Sequence, residues 1–571
     1  MIKYLKLFWE NVMKKILLLI VITLAVPFVF CACNHVHEYG EWQIEKDATC
    51  IEEGVRERYC SCGDKETEVI PKKEHNYVET VVEPTEKTEG YIEHKCSMCS
   101  DTYKDKYTSY GSQGLAYTVN SDGKTCTISG LGACKDTEII IPSKIDDYIV
   151  TAIADQAFFY LNSITSISIP DSVTTIGNEA FRGCHSVKSI TIPDSVTTIG
   201  EIAFGYCGNL NAITIPYGVT TVKRDTFFGC SRLKSITIPD SVTTIEDYAF
   251  RGCDGLESIT IPKGVTTIGR GAFFGCTSLT DITIHHGITI IEKATFGDCK
   301  SLINVTIPDS IASIGKYAFS GCSSLQSVRI PDAVTAVGDY AFNGCSSLTD
   351  ITIPDSVTTI ALGTFFGCSS LKNITLGNKI TKIDQQAFCS CESITSITIP
   401  DGVETIGYAA FGYCSNLRTI VIPTSVTAIG NNVFYACESL ISVIIPDGIT
   451  AIGNNTFNNC KSLSSVIIPD SVTTMGNNVF SNCASLTSII IPDSVTTIGK
   501  GSFNNCSSLT SITIPGNVAK IGKKLFNGCT NLTNITFAGT KAQWEAIEKE
   551  DEWNGGMSTN IIHCSDGDFS W

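Results

Sequence analysis

A phenylalanine recurs every 23 residues from Phe158 to Phe526, 17 times, with no insertion or deletion between copies. Sixteen cysteines follow at the same period, each three residues after its phenylalanine, from Cys184 to Cys529. Repetition this strict overrides the usual reckoning of about 150 residues per domain, which would divide 571 residues into roughly four domains. No unit of this length can bury its own apolar face, so stability has to come from stacking each unit on its neighbours. The chain is therefore expected to form a repeat solenoid.

Within each unit the apolar positions are few and fixed. Leu233, Ile236 and Ile238, or Leu348, Ile351 and Ile353, carry the alternation of a short strand. Pro239 and its equivalents close that strand, because proline cannot donate to a ladder, and Asp240 suits the turn that follows. Val242, Ile245, Ala249 and Phe250 bring the chain back and bury one large ring, and Cys253 completes the circuit. A period of 20–29 residues with Leu-x-x-Ile-x-Ile is the leucine-rich-repeat signature. It predicts a right-handed superhelix with one short parallel β-strand per 23-residue rung, capped at both ends and preceded by a small Cys/His-bearing module. Sixteen steps of about 4.8 Å give a strand face roughly 77 Å long.

The remaining segments divide by composition. Residues 1–33 read as a signal peptide: Lys14 and Lys15 precede an apolar run from Ile16 to Phe30, shorter than the roughly 20 residues of a spanning helix. Met13 is an alternative start to Met1. The run ends in Phe30-Cys31-Ala32-Cys33, which resembles the lipobox of bacterial lipoproteins with Phe30 in place of the usual leucine. That resemblance implies lipidation of Cys33 and membrane attachment through it alone; an ordinary cleaved signal releasing the chain is the alternative. Residues 34–110 form an acidic spacer, 111–157 an N-terminal cap, 158–537 the solenoid and 538–571 a C-terminal cap.

The spacer is a separate unit, with 18 acidic against 10 basic residues between positions 36 and 106. It holds two copies of a weak pattern. One runs from His37 through Trp42 and Cys50 to Cys60-Ser-Cys62, and the other from His75 to Cys96-Ser-Met-Cys99. Thiols at such spacings with flanking histidines are what soft, tetrahedral zinc sites use. Candidate structural zinc ligands are Cys60, Cys62, His75, His94, Cys96 and Cys99. Cys96 and Cys99 have the usual two-residue gap, Cys60 and Cys62 are one residue too close, and Cys50 has no counterpart in the second copy. Disulfides and unligated thiols are the alternatives.

The consensus Leu-x-x-Ile-x-Ile-Pro-x-x-Val-x-x-Ile-Gly-x-x-Ala-Phe-x-Gly-Cys resembles the BspA-like leucine-rich repeats of bacterial surface proteins over roughly residues 139–537. Thr540-Lys541-Ala542-Gln543-Trp544 resembles the closing unit often found with them. The resemblance implies an adhesin-like protein on the extracellular face of the bacterial envelope, binding an extracellular protein, host matrix or other cells. A structural or self-associating envelope scaffold is the alternative, since fold alone does not fix function.

Chemistry on the repeat surface is sparse. Only His185, His285 and His286 lie within the repeats, and no phosphate-cradling glycine loop or paired-carboxylate motif accompanies them, so the expectation is no enzyme. A net charge of −17 argues against nucleic acid and anionic lipid as partners. Outward strand positions are mostly Ser and Thr, ordinary exposed strand residues. One departure is local. In four successive rungs the outward Thr becomes Val421, Ile444, Ile467 and Ile490, and the same rungs carry Asn431, Asn454 and Asn477. An apolar stripe with a polar margin is a candidate partner-binding patch. The cysteine ladder itself is expected to be reduced packing.

Overall fold

Alternation of Leu348, Ile351 and Ile353 buries all three side chains and leaves Asp350 and Thr352 exposed, so the segment is a strand with one wet face. In the computed structural model, which describes residues 38–82, 90–107, 111–557 and 559–570, this arrangement repeats rung after rung. The chain divides into two units, Met1–Ser109 and Tyr110–Trp571. The signal segment and Cys33 lie outside the described residues.

Each rung of the second unit follows one course. Asp350–Thr352 pairs in parallel with Asn373–Thr375 of the next rung, Ile351 facing Ile374. Pro354 then ends the strand, and its carbonyl accepts from the Val357 amide in a tight turn. A second ladder follows that the sequence pattern did not announce: Thr359–Ile360 pairs with Lys382–Ile383, and equivalent two-residue strands recur along the coil. Where the first strand shortens, single bridges such as Ser327 to Asp350 keep the register. Even the turn around the phenylalanine bonds from rung to rung, the Phe342 amide donating to the Thr364 carbonyl at 2.9 Å. Most backbone groups are thus satisfied by the neighbouring copy, as a stack of mutually dependent units requires.

The rings of Phe158 to Phe526 form one continuous stack inside the coil. Successive centroids lie 5.3 to 5.9 Å apart with planes within 17° of parallel. Cysteine contributes more than volume. From Cys184 to Cys529, every ladder thiol donates to the carbonyl of the phenylalanine 26 residues earlier, for example Cys345 Sγ to Phe319 O at 3.2 Å. That carbonyl also accepts the Cys322 amide, so the thiol fills its second lone pair in a dry turn. Burial pushes most of these thiols up, to about 12 at Cys230 and Cys368, which keeps the proton that the bond needs; Cys529 at the end of the ladder is lowered instead, by its contact with Cys506.

Two positions in every rung, two residues before and two after the phenylalanine, adopt left-handed backbone. Glycine meets this need at Gly363 and Gly367 around Phe365, and asparagine at Asn455 and Asn459 around Phe457. Ile202, with φ of 56°, is forced into the same region despite its β-branch.

Antiparallel elements close both ends. Ala116–Val119 and Thr125–Gly130 form a hairpin, and Thr125–Gly130 pairs with Tyr148–Ile153, which starts the second ladder against Thr175–Ile176. At the other end, helix α1 (Lys541–Ala546) is opened by a capping box between Thr540 and Gln543. It carries the fully buried Trp544 onto Phe537 and Trp553, at 5.2 and 5.5 Å between ring centroids. The hairpin Ile561–Cys564 with Gly567–Ser570 then ends the first ladder. Among the described residues no helix is long and apolar enough to cross a membrane.

The first unit holds two antiparallel meanders, β1 (Gln43–Lys46), β2 (Gly54–Tyr59), β3 (Lys65–Ile70) and β4 (Tyr77–Val82), β5 (Gly90–Cys96), β6 (Thr102–Tyr107). They are the two copies seen in the sequence. Tyr39 bridges Cys60 and Tyr77 pairs with Cys96; the Tyr39 hydroxyl donates to Asp64 and that of Tyr77 to Asp101. Cross-strand pairs Arg56–Glu68 and Arg58–Glu66 brace the first meander on its surface, where each contributes about 0–1 kcal/mol.

Candidate functional site

Two places in the molecule depart from pure scaffolding: a stretch of the solenoid's first-strand face, and a thiol-imidazole cluster in the first unit.

On the strand face, Thr398 is succeeded by Val421, and Ile444 sits directly opposite Ile467 in the parallel ladder; Ile490 bridges onward to Thr513. The four apolar side chains are 75, 63, 57 and 83% exposed in chain order. The rungs hold them in one line because Val421, Ile444 and Ile467 are each the third residue of an equivalent strand and Ile490, at a single bridge, takes the same place in its rung; the residue before each (Ile420, Val443, Val466 or Ile489) is buried. The stripe expected from the sequence is therefore present and open to solvent.

The asparagines do not form its margin. Asn431, Asn454 and Asn477 lie ten residues further round the rung, in the turn before the phenylalanine. Asn431 Oδ1 accepts the Asn454 amide and Asn454 Oδ1 the Asn477 amide, both at 2.7 Å, and Asn477 Oδ1 accepts the Lys500 amide at 2.9 Å. Asp155 and Asp247 do the same in other rungs, toward Asn178 and Arg270. The asparagine enrichment is thus accounted for by turn hydrogen bonds and left-handed backbone. Aromatic residues of the outer turn are similarly occupied, since the Arg251 guanidinium lies over the rings of Phe228, Tyr248 and Phe274.

A polar counterpart of the stripe was not picked out from the sequence. Arg329 takes the outward position that Thr306 and Thr352 hold in adjacent rungs, and pairs with Asp309 at 2.6 Å. With Asn304, Ser327, Asp332 and Asp350 it lines a shallow concavity. The same test that found the isoleucines, a break in the threonine ladder, would have found it.

In the first unit, Cys50, His75, Cys96 and Cys99 converge, with one ligand-type atom from each within 4.8 Å of all the others. Cys50 comes from the β1–β2 loop, His75 from the segment between the meanders, Cys96 from the end of β5 and Cys99 from the following turn. Cys50 Sγ lies 3.7 Å from Cys96 Sγ, and Cys99 Sγ 3.4 Å from His75 Nδ1. The Lys73 amide donates to the Thr49 carbonyl, which ties the segment carrying His75 to the loop carrying Cys50. Tyr77 stacks on His75 at 5.3 Å and holds Asp101 with its hydroxyl. Burial opposes ionisation of Cys96, but the Met98 amide, His75, Cys99 and Cys50 outweigh it and bring the thiol down to about 6.

Three of the six ligands expected from the sequence are in this cluster and three are not. His94 is instead stacked on Tyr103 at 4.3 Å between ring centroids. Cys60 and Cys62 sit at the β2–β3 turn, and among the described residues no third ligand joins them. Cys50, which has no counterpart in the second copy, is the member of the cluster that local spacing does not single out.

A model of the BspA type leucine rich repeat region, which contains six copies of the repeat, matches residues 151–279, 243–361, 335–461 and 427–547. Among solved structures, the chain is similar to a leucine-rich repeat protein from Bacteroides ovatus. The two are 30% identical, the match covers 77% of this chain and 97% of that one, and the TM-score is 0.45. It is also similar to a leucine rich cell surface protein from Faecalibacterium prausnitzii, at 27% identity, 78% and 99% coverage and a TM-score of 0.32. The pneumococcal vaccine antigen PcpA matches at 17% identity, 80% and 97% coverage and a TM-score of 0.26. No curated protein matches the chain.

Proposed function

This chain belongs to the BspA-type leucine-rich repeat proteins, and from that premise we propose that it is a non-catalytic, adhesin-like binding protein of the bacterial cell surface. Its strand face contacts an extracellular protein, host matrix or another cell. One observation carries the reading: Val421, Ile444, Ile467 and Ile490 are aligned, exposed and apolar on a face whose other outward positions are mostly polar, chiefly Ser and Thr. Exposed apolar surface ordered on a rigid scaffold is what a protein contact uses. In this reading Cys33 carries the lipid that holds the chain at the envelope, and the chain makes no other membrane contact and binds no nucleic acid.

The test replaces Ile444 and Ile467 together by Thr, the residue of most other rungs. Binding to immobilised matrix proteins and to whole cells should fall at least about tenfold, with the thermal transition unchanged, since surface substitutions usually shift stability by no more than about 0.5 kcal/mol. Unchanged binding with an intact fold removes the stripe from the reading. Sedimentation of the same pair addresses the scaffold alternative: wild-type dimers or chains that the double variant dissolves would favour self-association. Membrane fractionation of Cys33→Ala, with release into the medium expected, tests the anchor.

A further inference from the structure

We propose that Cys50, His75, Cys96 and Cys99 are the four ligands of a structural zinc ion that joins the two meanders of the first unit. The argument is independent of the binding function above. A tetrahedral zinc with Zn–S of about 2.3 Å and Zn–N of about 2.05 Å sets its ligands about 3.8 Å apart, sulfur to sulfur, and about 3.6 Å apart, sulfur to nitrogen. The cluster has 3.7 Å between Cys50 Sγ and Cys96 Sγ and 3.4 Å between Cys99 Sγ and His75 Nδ1. Both edges already have the lengths that a shared central ion imposes.

The donor set narrows the ion. Three thiolates and an imidazole are soft to borderline ligands that suit zinc and disfavour magnesium and calcium, which take oxygen. All four positions come from the protein, so the site is closed: it leaves no place for a reacting water, and its role is structural. Binding is charge-balanced by loss of the three thiol protons to solvent, with His75 ligating as the neutral imidazole, giving a net charge of −1 for the ion and its ligands. No oxidation takes place.

The surrounding unit supplies the reason for such an ion. Among the residues from 38 to 107 whose side chains the structure describes, the buried apolar ones are Ala48, Cys50, Cys60 and Cys96. Strand β1 is exposed along its whole length. A unit of this size with so little buried apolar surface requires a cross-link or a metal to hold one conformation. The four ligands draw on the first meander, the second meander and the segment between them, so one ion fixes all three.

The experiment uses the full-length chain, stripped of metal under reducing conditions and titrated with zinc against a chromophoric chelator. One zinc per chain is expected. Cobalt in its place should give thiolate-to-metal charge transfer and the intense visible bands of a four-coordinate ion, a readout that needs no variant. Cys50→Ser, Cys96→Ser and Cys99→Ser should each weaken zinc binding by at least about 100-fold, while Cys60→Ser, Cys62→Ser and His94→Gln retain one ion. Chelation should abolish amide protection in 38–107 and leave that of 111–570 in place. Failure of the reduced wild-type chain to bind zinc, or an octahedral cobalt spectrum, overturns the proposal. So does a Cys50–Cys96 disulfide in the protein as isolated, or Cys50→Ser affinity within twofold of wild type.

Discussion

Both units of this chain are built by duplication and both place cysteine in their interiors, yet cysteine does different work in each. In the solenoid the ladder thiols are buried beside Phe, Leu, Ile and Val, and each donates to a phenylalanine carbonyl of the preceding rung. Seventeen stacked rings and their aliphatic neighbours already make the core, and the thiol completes a turn. Among the described residues of the first unit there is no comparable core, and three thiols converge with a histidine. A small polar residue that is accessory where apolar burial is plentiful becomes the organising group where burial is scarce.

The comparison can be broken most sharply in the solenoid. Phe342 is fully buried between Phe319 and Phe365, at 5.4 and 5.7 Å between ring centroids. Phe342→Ala should cost about 3–5 kcal/mol. Because each rung contacts only its neighbours, hydrogen exchange should show loss of protection around residues 319–368 before the ends of the array respond. Uniform loss along the whole solenoid would mean that it behaves as one cooperative core.

A smaller effect separates packing from hydrogen bonding at the ladder. Cys345→Ala removes the donor to the Phe319 carbonyl and should cost about 1–3 kcal/mol in chemical denaturation, whereas Cys345→Ser, which keeps a donor, should cost less. Equal losses from both would reduce the thiol to a volume filler. Ile202→Asn goes the other way. It relieves left-handed backbone at a β-branched residue and should stabilise by about 1 kcal/mol, seen as a higher midpoint.

The smallest effect lies in the first unit and depends on pH. The Lys65 ammonium and then the Tyr59 hydroxyl hold the Glu57 carboxyl below its ordinary value. A lowered carboxyl contributes stability that is complete above the unfolded value of about 4.3 and is lost as pH falls through the folded value. Acid should therefore loosen 38–107 in part through this group, and Glu57→Gln should flatten that part of the profile. An identical acid profile for wild type and variant would assign the acid sensitivity elsewhere.

Much of the solenoid was legible because its signals are local and repeated. Ile351 points inward because alternation in a short strand admits only one buried face, and Phe365 is buried because it returns in every copy. The second ladder at Thr359–Ile360 was not legible, since two residues carry no periodicity. Nor was the role of the asparagines: Asn454 and Asn455 look like surface decoration until the turn shows one accepting an amide from the next rung and the other in left-handed backbone.

Period, inward residues, strand positions and the aligned apolar stripe are thus properties of the sequence by itself, because stacking equivalent copies converts spacing along the chain directly into position in space. What only the tertiary structure decided is what meets across unlike segments. Cys50 and Cys96 are 46 residues apart, in different copies and different kinds of element, and no periodicity relates them. Their meeting depends on how two meanders fold against each other around His75. Within the second meander, the register of β5 on β6 sets His94 opposite Tyr103, and Cys60 and Cys62 stay at the β2–β3 turn.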